Sequence, residues 1–294
     1  MRLLRYLIVC GSAALLAGTL ALTAVTTATP ARPRHVAYPA RFVSAARNAL
    51  ARYLRHYRPR AMLAGHVPAG RTGTVLGSSY DWAGYADGST TTKAGTFTRV
   101  SGSWTTPSVT CSAEDQLTSD WVGLDGFISS SLEQLGTMSW CYEGSPMYFT
   151  WWEMFHPKGT GLVRVGNTLQ PGDKISASVS RSGTAYTLKL TDATNSANSF
   201  TTKQTCPATT CLDTSAEWIS ERPAFGIGIA PLAHYNAFKV TNGAQTSSGK
   251  SGTIGSFSTV NEITMVDATD AYDLSNTSGL VSKNSFSTTW RNSY

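Results

Sequence analysis

From Ser79 onward the chain alternates apolar and polar residues in short runs separated by Gly, Ser, Thr and Asn, as in GTFTRVSGSWTTP, SDWVGLDGF, MYFTWWEMF, DKISASVSRSG, TAYTLKLTDA, AFKVTNGA and NEITMVDAT. A two-residue repeat bounded by turn formers predicts β-strands, because successive side chains of an extended chain point to opposite faces. In TAYTLKLTD, Ala185 or Tyr186 with its two-residue neighbours would supply the inward set. No long 3.6-residue period competes and no internal repeat of fixed period is present. The predicted body is therefore all-β, an antiparallel two-sheet β-sandwich, and about 215 residues fit one such domain.

The first 60 residues follow other patterns. MRLLRYLIVCGSAALLAGTLALTAVTTATPA has two arginines, an apolar run and then small residues, the layout of a secretory signal peptide cleaved between Ala24 and Ala31. A retained transmembrane anchor is the alternative, disfavoured because no basic stop-transfer cluster follows the run. Over residues 39–60, Phe42, Ala46, Ala49, Leu50, Tyr53, Leu54 and Tyr57 recur at helical spacing while Arg47, Arg52, Arg55 and Arg58 take other faces, which predicts one basic amphipathic helix. Such a helix suits a surface element, a membrane-surface binder or a pro-segment. Pro59, Pro68 and AGRTGTVLGSS then form a linker open to proteases. The expected organisation is a signal peptide at 1–28, a helical basic pro-segment and linker at 29–77, and a β-sandwich domain at 78–294.

Charge sharpens that division. The chain of 294 residues has a net charge of +6, which would favour a nucleic-acid or anionic-membrane partner if the basic residues were spread evenly. They are not: residues 1–71 hold 11 of the 24 Lys and Arg and none of the 18 Asp and Glu, leaving 72–294 at net −5. No nucleic-acid partner is expected, nor a stable membrane association once the signal is removed. Export also accounts for the cysteines. Loss of Cys10 with the signal leaves Cys111, Cys141, Cys206 and Cys211, an even set for an oxidising compartment. Four cysteines allow three pairings; the short CPATTC segment can close a small loop, which favours Cys206 with Cys211 and Cys111 with Cys141. A zinc site is a poorer fit, since the spacing is not CxxC and the body contains only His156 and His234.

Hydrolase templates fail one after another. GxSxG, HExxH, a P-loop, a GxGxxG turn and paired D-T-G or D-S-G loops are all missing, so neither a metal nor a cofactor is expected. What remains is carboxylates and amides set among aromatics. Alternation puts Glu153 of YFTWWEMFHP on the face of Phe149, Trp151 and Phe155, and Glu217 of TSAEWISERP on the face of Ser215 and Ile219; Asp125 follows Trp121 in SDWVGLDG. Apolar surroundings raise a carboxyl's pKa and make it a candidate acid or base, although a buried Glu held by backbone donors is the commoner case. In SLEQLGTMSWCYEG the acidic Glu133 falls opposite Leu132, Gln134 and Met138, so an uncharged glutamine occupies the face of interest.

Taken in order, WAGY at 82–85, WVGLDG at 121–126, LEQLGT at 132–137, CYE at 141–143, WWE at 151–153 and SAEWISERP at 215–223 resemble the glutamic peptidases, or eqolisins, in a bacterial-type, secreted form. The resemblance spans about residues 80–265. It implies a lectin-like or jelly-roll sandwich, an acid-acting secreted endopeptidase, polypeptide substrates, and a catalytic pair formed by Gln134 and Glu217. It also implies a substrate groove lined by Trp82, Trp121, Trp151 and Trp152 with Asp125 and Glu153 near it, the pro-segment as intramolecular inhibitor, and a monomer. Two positions depart from the pattern: Phe149, and Met138 or Ser139, stand where an Asp is expected, and the Gln134–Cys141 segment is one residue longer. A carbohydrate-binding sandwich and a glycosidase using Glu153 with Glu217 are the alternatives.

Overall fold

The structure is a computed structural model that describes residues 75–112, 114–225 and 228–294. The signal peptide and the basic helix of residues 39–60 lie outside the described residues. The principal strands are β1 (Trp82–Asp87), β2 (Phe97–Thr105), β3 (Gln116–Leu124), β4 (Leu132–Tyr142), β5 (Ser145–Phe155), β6 (Lys174–Ser182), β7 (Ala185–Asp192), β8 (Phe200–Thr205), β9 (Ala216–Glu221), β10 (Phe238–Ser247) and β11 (Val260–Val266). One sheet runs β11-β1-β9-β3-β4-β5 and the other β8-β7-β6-β2-β10. Neighbours within both are antiparallel. An added edge strand, Val75–Ser79, runs parallel to β11 and straddles the boundary that composition places at 77.

β10 passes between the sheets. Its start, Phe238–Val240, pairs with Phe286–Trp290 on the side of the first sheet. Its later residues pair with β2, after a register shift between Thr241 and Ala244 where Asn242 adopts φ 54°. A bulge of this kind bends a strand and increases its twist, which lets one segment serve two layers.

The layers close on a shared core. Tyr85, Val122, Leu124, Leu135 and Trp218 from the first sheet meet Val100, Trp104, Val179, Leu188 and Val240 from the second. Burial of each large apolar side chain contributes about 1.5–3 kcal/mol. The two indoles in this core keep their polar atoms satisfied: Trp218 Nε1 donates to the Ser101 carbonyl at 2.8 Å, and Trp104 Nε1 to Thr137 Oγ1 at 3.1 Å. Both contacts cross between sheets and set how the sheets face one another.

The first sheet has a second buried face. Trp82, Trp121, Leu132, Met138, Trp140, Trp151 and Ile219 form a separate apolar cluster there, joined by Phe127 and Leu162 from loops. Disulfides link Cys111 to Cys141 and Cys206 to Cys211, the pairing favoured from the sequence. The first ties the end of β4 to the segment leading into β3.

Candidate active site

Register carries the site. Glu217 on β9 pairs with Ala86 on β1 and with Gly123 on β3; Gly123 pairs with Gln134 on β4; Gln134 pairs with Glu153 on β5. Paired residues of adjacent strands share a face, so Glu217, Gln134 and Glu153 stand in one row across the sheet with Gly123 between the first two. Two strand spacings set the Glu217 and Gln134 backbones about 10 Å apart, and the side chains lean over the intervening residue.

Gly123 has to be small. A Cβ there would lie 2.9 Å from Leu132 Cδ1, 2.9 Å from the Trp121 ring and 3.3 Å from Gln134 Cβ. Its missing side chain leaves the space between the glutamate and the glutamine. Gly136, paired with both Trp121 and Trp151, must be small as well, since a Cβ there would lie 2.1 Å from the Asp120 carbonyl oxygen and 2.6 Å from Trp121 Cβ.

Gln134 Nε2 donates to Glu153 Oε2 at 3.1 Å. A carboxylate can only accept, so this contact fixes which end of the amide faces Glu153. The second N–H of the same nitrogen and the buried Oε1 are not engaged by another protein group. Glu217 is fully buried, and burial pushes its pKa well above the ordinary range, while the Ser215 hydroxyl and the Phe127 backbone N–H beside it act in the opposite direction. Neither of its oxygens reaches a partner at full hydrogen-bond geometry.

Alternation alone predicts a further member. Glu221, four residues after Glu217 in β9, shares its face, and Trp121 Nε1 donates to Glu221 Oε2 at 2.8 Å. Burial, then Asp81, raises the Glu221 pKa, with the Trp121 indole opposing. Trp121 in turn meets Trp82 edge to face at 4.9 Å. Glu221 thus holds the ring that borders Gly123, and the period-two pattern that selected Glu217 was the signal for it.

One sequence assignment changes place. Trp152 packs against the core between the sheets rather than beside Trp151, as consecutive residues of an extended strand must. Asp125, expected near the groove, stands behind it. It is fully buried with φ 69°, and its carboxylate accepts from Asp213 N at 2.6 Å, Thr214 N at 2.8 Å, Thr214 Oγ1 at 2.9 Å and Ser131 Oγ at 3.0 Å. Asp125 therefore anchors the loop that enters β9. Trp82, Trp121, Trp151, Gln134, Glu153 and Glu217 do share the second buried face.

Among the described residues two groups bring potential metal ligands together. His156, Cys206 and Cys211 lie close together, but both thiols are committed to a disulfide. Asp125, Glu133 and Asp213 also converge, yet four donors already occupy Asp125 and the Arg181 guanidinium lies on Asp213 at 2.9 Å. A guanidinium on a carboxylate oxygen is placed where a bound cation would be repelled.

The Peptidase A4 family model matches residues 80–290. A search of curated proteins gives no match. Among solved structures the chain is similar to scytalido-glutamic peptidase bound to a transition-state analogue inhibitor, at 20% identity and a TM-score of 0.58, over 72% of this chain and 98% of that one. It is also similar to SCP-B, a member of the eqolisin family, in complex with the tripeptide Ala-Ile-His, at 21% identity and a TM-score of 0.56 over the same shares. The aspergilloglutamic peptidase of Aspergillus niger matches at 25% identity and a TM-score of 0.50, over 60% of this chain and 99% of that one.

Proposed function

The chain belongs to the Peptidase A4 family and is a peptide-bond hydrolase of the glutamic type, and from that premise we propose that it cleaves polypeptides in acid with Gln134 and Glu217 as its catalytic pair. The row Glu217–Gly123–Gln134–Glu153 carries this reading. The carbohydrate-binding and glycosidase alternatives give way to the family assignment, and a glycosidase using Glu153 and Glu217 would leave Gln134 between them without a role.

In the proposed reaction ionised Glu217 takes a proton from a water whose oxygen attacks the scissile carbonyl carbon. The oxyanion of the tetrahedral intermediate accepts from the Gln134 N–H not used by Glu153. Protonated Glu217 then donates to the departing amine nitrogen as the C–N bond breaks. An amide suits the oxyanion role in acid because it does not titrate there, and loss of one such donor costs about 100- to 1000-fold in rate. Glu153 holds that amide in one orientation.

The fold's own titration supports acid action. Burial raises Asp120 and Asp213 to about 7, and raises Asp87, Glu217 and Glu221 as well. Groups whose folded pKa is raised bind protons more tightly in the native state. Their stabilisation is fully present below the unfolded carboxylate values near ~4 and is lost as pH rises through the folded values, here toward 7 for Asp120 and Asp213. The raised pKa of Glu217 limits the ionised fraction at the acid extreme, so activity should rise from that extreme before falling toward neutrality.

Secretion, a pro-segment at residues 29–77 and a catalytic domain at 78–294 complete the proposal. The contrast between a basic leader and a net −5 body supports electrostatic docking that weakens as carboxylates protonate. Among the described residues no helix is long and apolar enough to cross a membrane. Digestion of a denatured protein between pH 2 and 7 tests the assignment: Glu217→Gln should abolish cleavage throughout, and a variant that stays active would remove Glu217 from the reaction.

A further inference from the structure

Behind the catalytic row, on the core face of the same sheet, sits a group that the reaction does not use. Glu133 immediately precedes Gln134 in β4 and is fully buried, with no hydrogen-bond partner on either carboxyl oxygen. One of those oxygens lies within 4.8 Å of carboxyl oxygens of both Asp125 and Asp213. The three residues belong to three segments of the site. Asp125 follows Gly123 by two residues at the end of β3, Asp213 precedes Glu217 by four, and Glu133 adjoins Gln134.

The first two segments are already tied. Asp125 accepts the backbone N–H groups of Asp213 and Thr214, while its own N–H donates to the Ser215 carbonyl at 3.1 Å. Asp213 accepts from the Tyr186 hydroxyl at 2.8 Å and pairs with Arg181 at 2.9 Å. Asp125 and Asp213 hold φ values of 69° and 53°, left-handed conformations that non-glycine residues keep only when their surroundings impose them. Donors therefore surround both aspartates. Neither oxygen of Glu133 has one.

We infer that Glu133 in its uncharged form is a positioning residue: its carboxylic O–H ties β4 to the Asp125–Asp213 junction, fixing Gln134 relative to Glu217, and its ionisation breaks that tie. Charge balance makes the same demand. With all three carboxyls ionised, the buried cluster would carry three negative charges against one guanidinium, and close carboxylates retain a shared proton rather than ionise together. Among the described residues, the charged or titratable groups facing Glu133 are Asp125 after β3, Asp213 and Glu217 before and within β9, Arg181 on β6 and Tyr186 on β7. Burial, then Asp125, Asp213 and Glu217, hold the Glu133 pKa well above the usual carboxylate range, and only Arg181 opposes them. The tie is complete below the ordinary glutamate pKa of about 4.3 and is lost as pH rises through the folded value.

The inference rests on the dyad reading for its activity arm and is independent of it for its structural arm. Glu133→Gln keeps size and an N–H donor but does not ionise. In the full-length, matured enzyme it should leave kcat at the acid optimum within about 3-fold of the parent and move the alkaline limb of kcat/KM up by about one pH unit. An unmoved limb, or a folded variant slow at every pH, would overturn the inference. In the parent itself, the amide protection factors of Asp213, Thr214 and Ser215, with the intrinsic exchange rate at each pH divided out, should fall at least 10-fold as the Glu133 carboxyl, followed by its isotope-labelled NMR signal, ionises. Unchanged protection across that titration would overturn it even if the variant failed to fold. Calcium and a chelator should leave both readouts unchanged; chelator-induced exchange reversed by calcium would assign the cluster to a cation instead. If Glu217→Gln stayed active while the exchange result held, only the dyad reading would fall.

Discussion

The two sheets are built from similar strands but treat their faces differently. In the second sheet one face packs inward and the other meets solvent: β7 alternates between buried Tyr186, Leu188 and Leu190 and exposed or half-exposed neighbours, and β8 does so to a lesser degree. In the first sheet every residue of β1, β3 and β9 is buried, and all of β4 but its last. A sandwich needs only one buried face per sheet to fold. The additional buried face is where Gln134, Glu153, Glu217 and the tryptophans Trp82, Trp121 and Trp151 stand. On the proposed mechanism burial there has a chemical use: a site with little water strengthens each hydrogen bond aimed at a developing charge and shifts carboxyl pKa values upward.

That contrast can be broken at several points, beginning with the disulfides. Cys111–Cys141 closes a separation of 30 residues and braces β4, whereas Cys206–Cys211 closes only 5 beyond the end of β8. Loop entropy assigns about 3.5 kcal/mol to the first and about 2 kcal/mol to the second. Chemical denaturation of the Cys111→Ala/Cys141→Ala and Cys206→Ala/Cys211→Ala proteins in acid should show that order, with activity suffering more in the first.

Next comes the glycine between the proposed catalytic pair. Gly123→Ala should destabilise by about 2 kcal/mol through overpacking and lower kcat about 100-fold by moving Gln134 or Trp121. Lys189→Ala, on the exposed face of β7, should change melting temperature and activity little. Equal effects at the two positions would mean that the second buried face has no special geometry. Within the row itself the smallest effect is expected at Glu153. Glu153→Leu, which leaves the Gln134 amide without its orienting acceptor, should lower kcat about 10-fold at unchanged KM; Glu153→Gln, still able to accept, should stay within about 3-fold.

Much of this was legible in the chain. Period two gave the strands and, within each, the shared face of Gln134 with Leu132 and Met138 and of Glu217 with Ile219. It equally separated Glu133 from Gln134, and applied to Trp151 and Trp152 it would have kept those indoles apart. What single strands do not encode is register between them. Gly123 stands between Glu217 and Gln134 only because β3 lies between β9 and β4 at one of several possible alignments. The partners of Asp125 escaped for a related reason, since a left-handed residue at the end of β3 breaks alternation and turns its carboxylate to the next loop. The buried group of Glu133, Asp213, Arg181 and Tyr186 draws on four separate segments, and no local pattern joins them.

On the proposed mechanism Gln134 and Glu217 act as one unit across Gly123. A double-mutant cycle on kcat/KM in acid, with a peptide substrate and Gln134→Ala, Glu217→Gln and the double variant, measures this directly. Each single change should cost at least about 100-fold, and the double variant should be little worse than the poorer single one. Losses that multiply in full, or a single variant retaining near-parent activity, would contradict it.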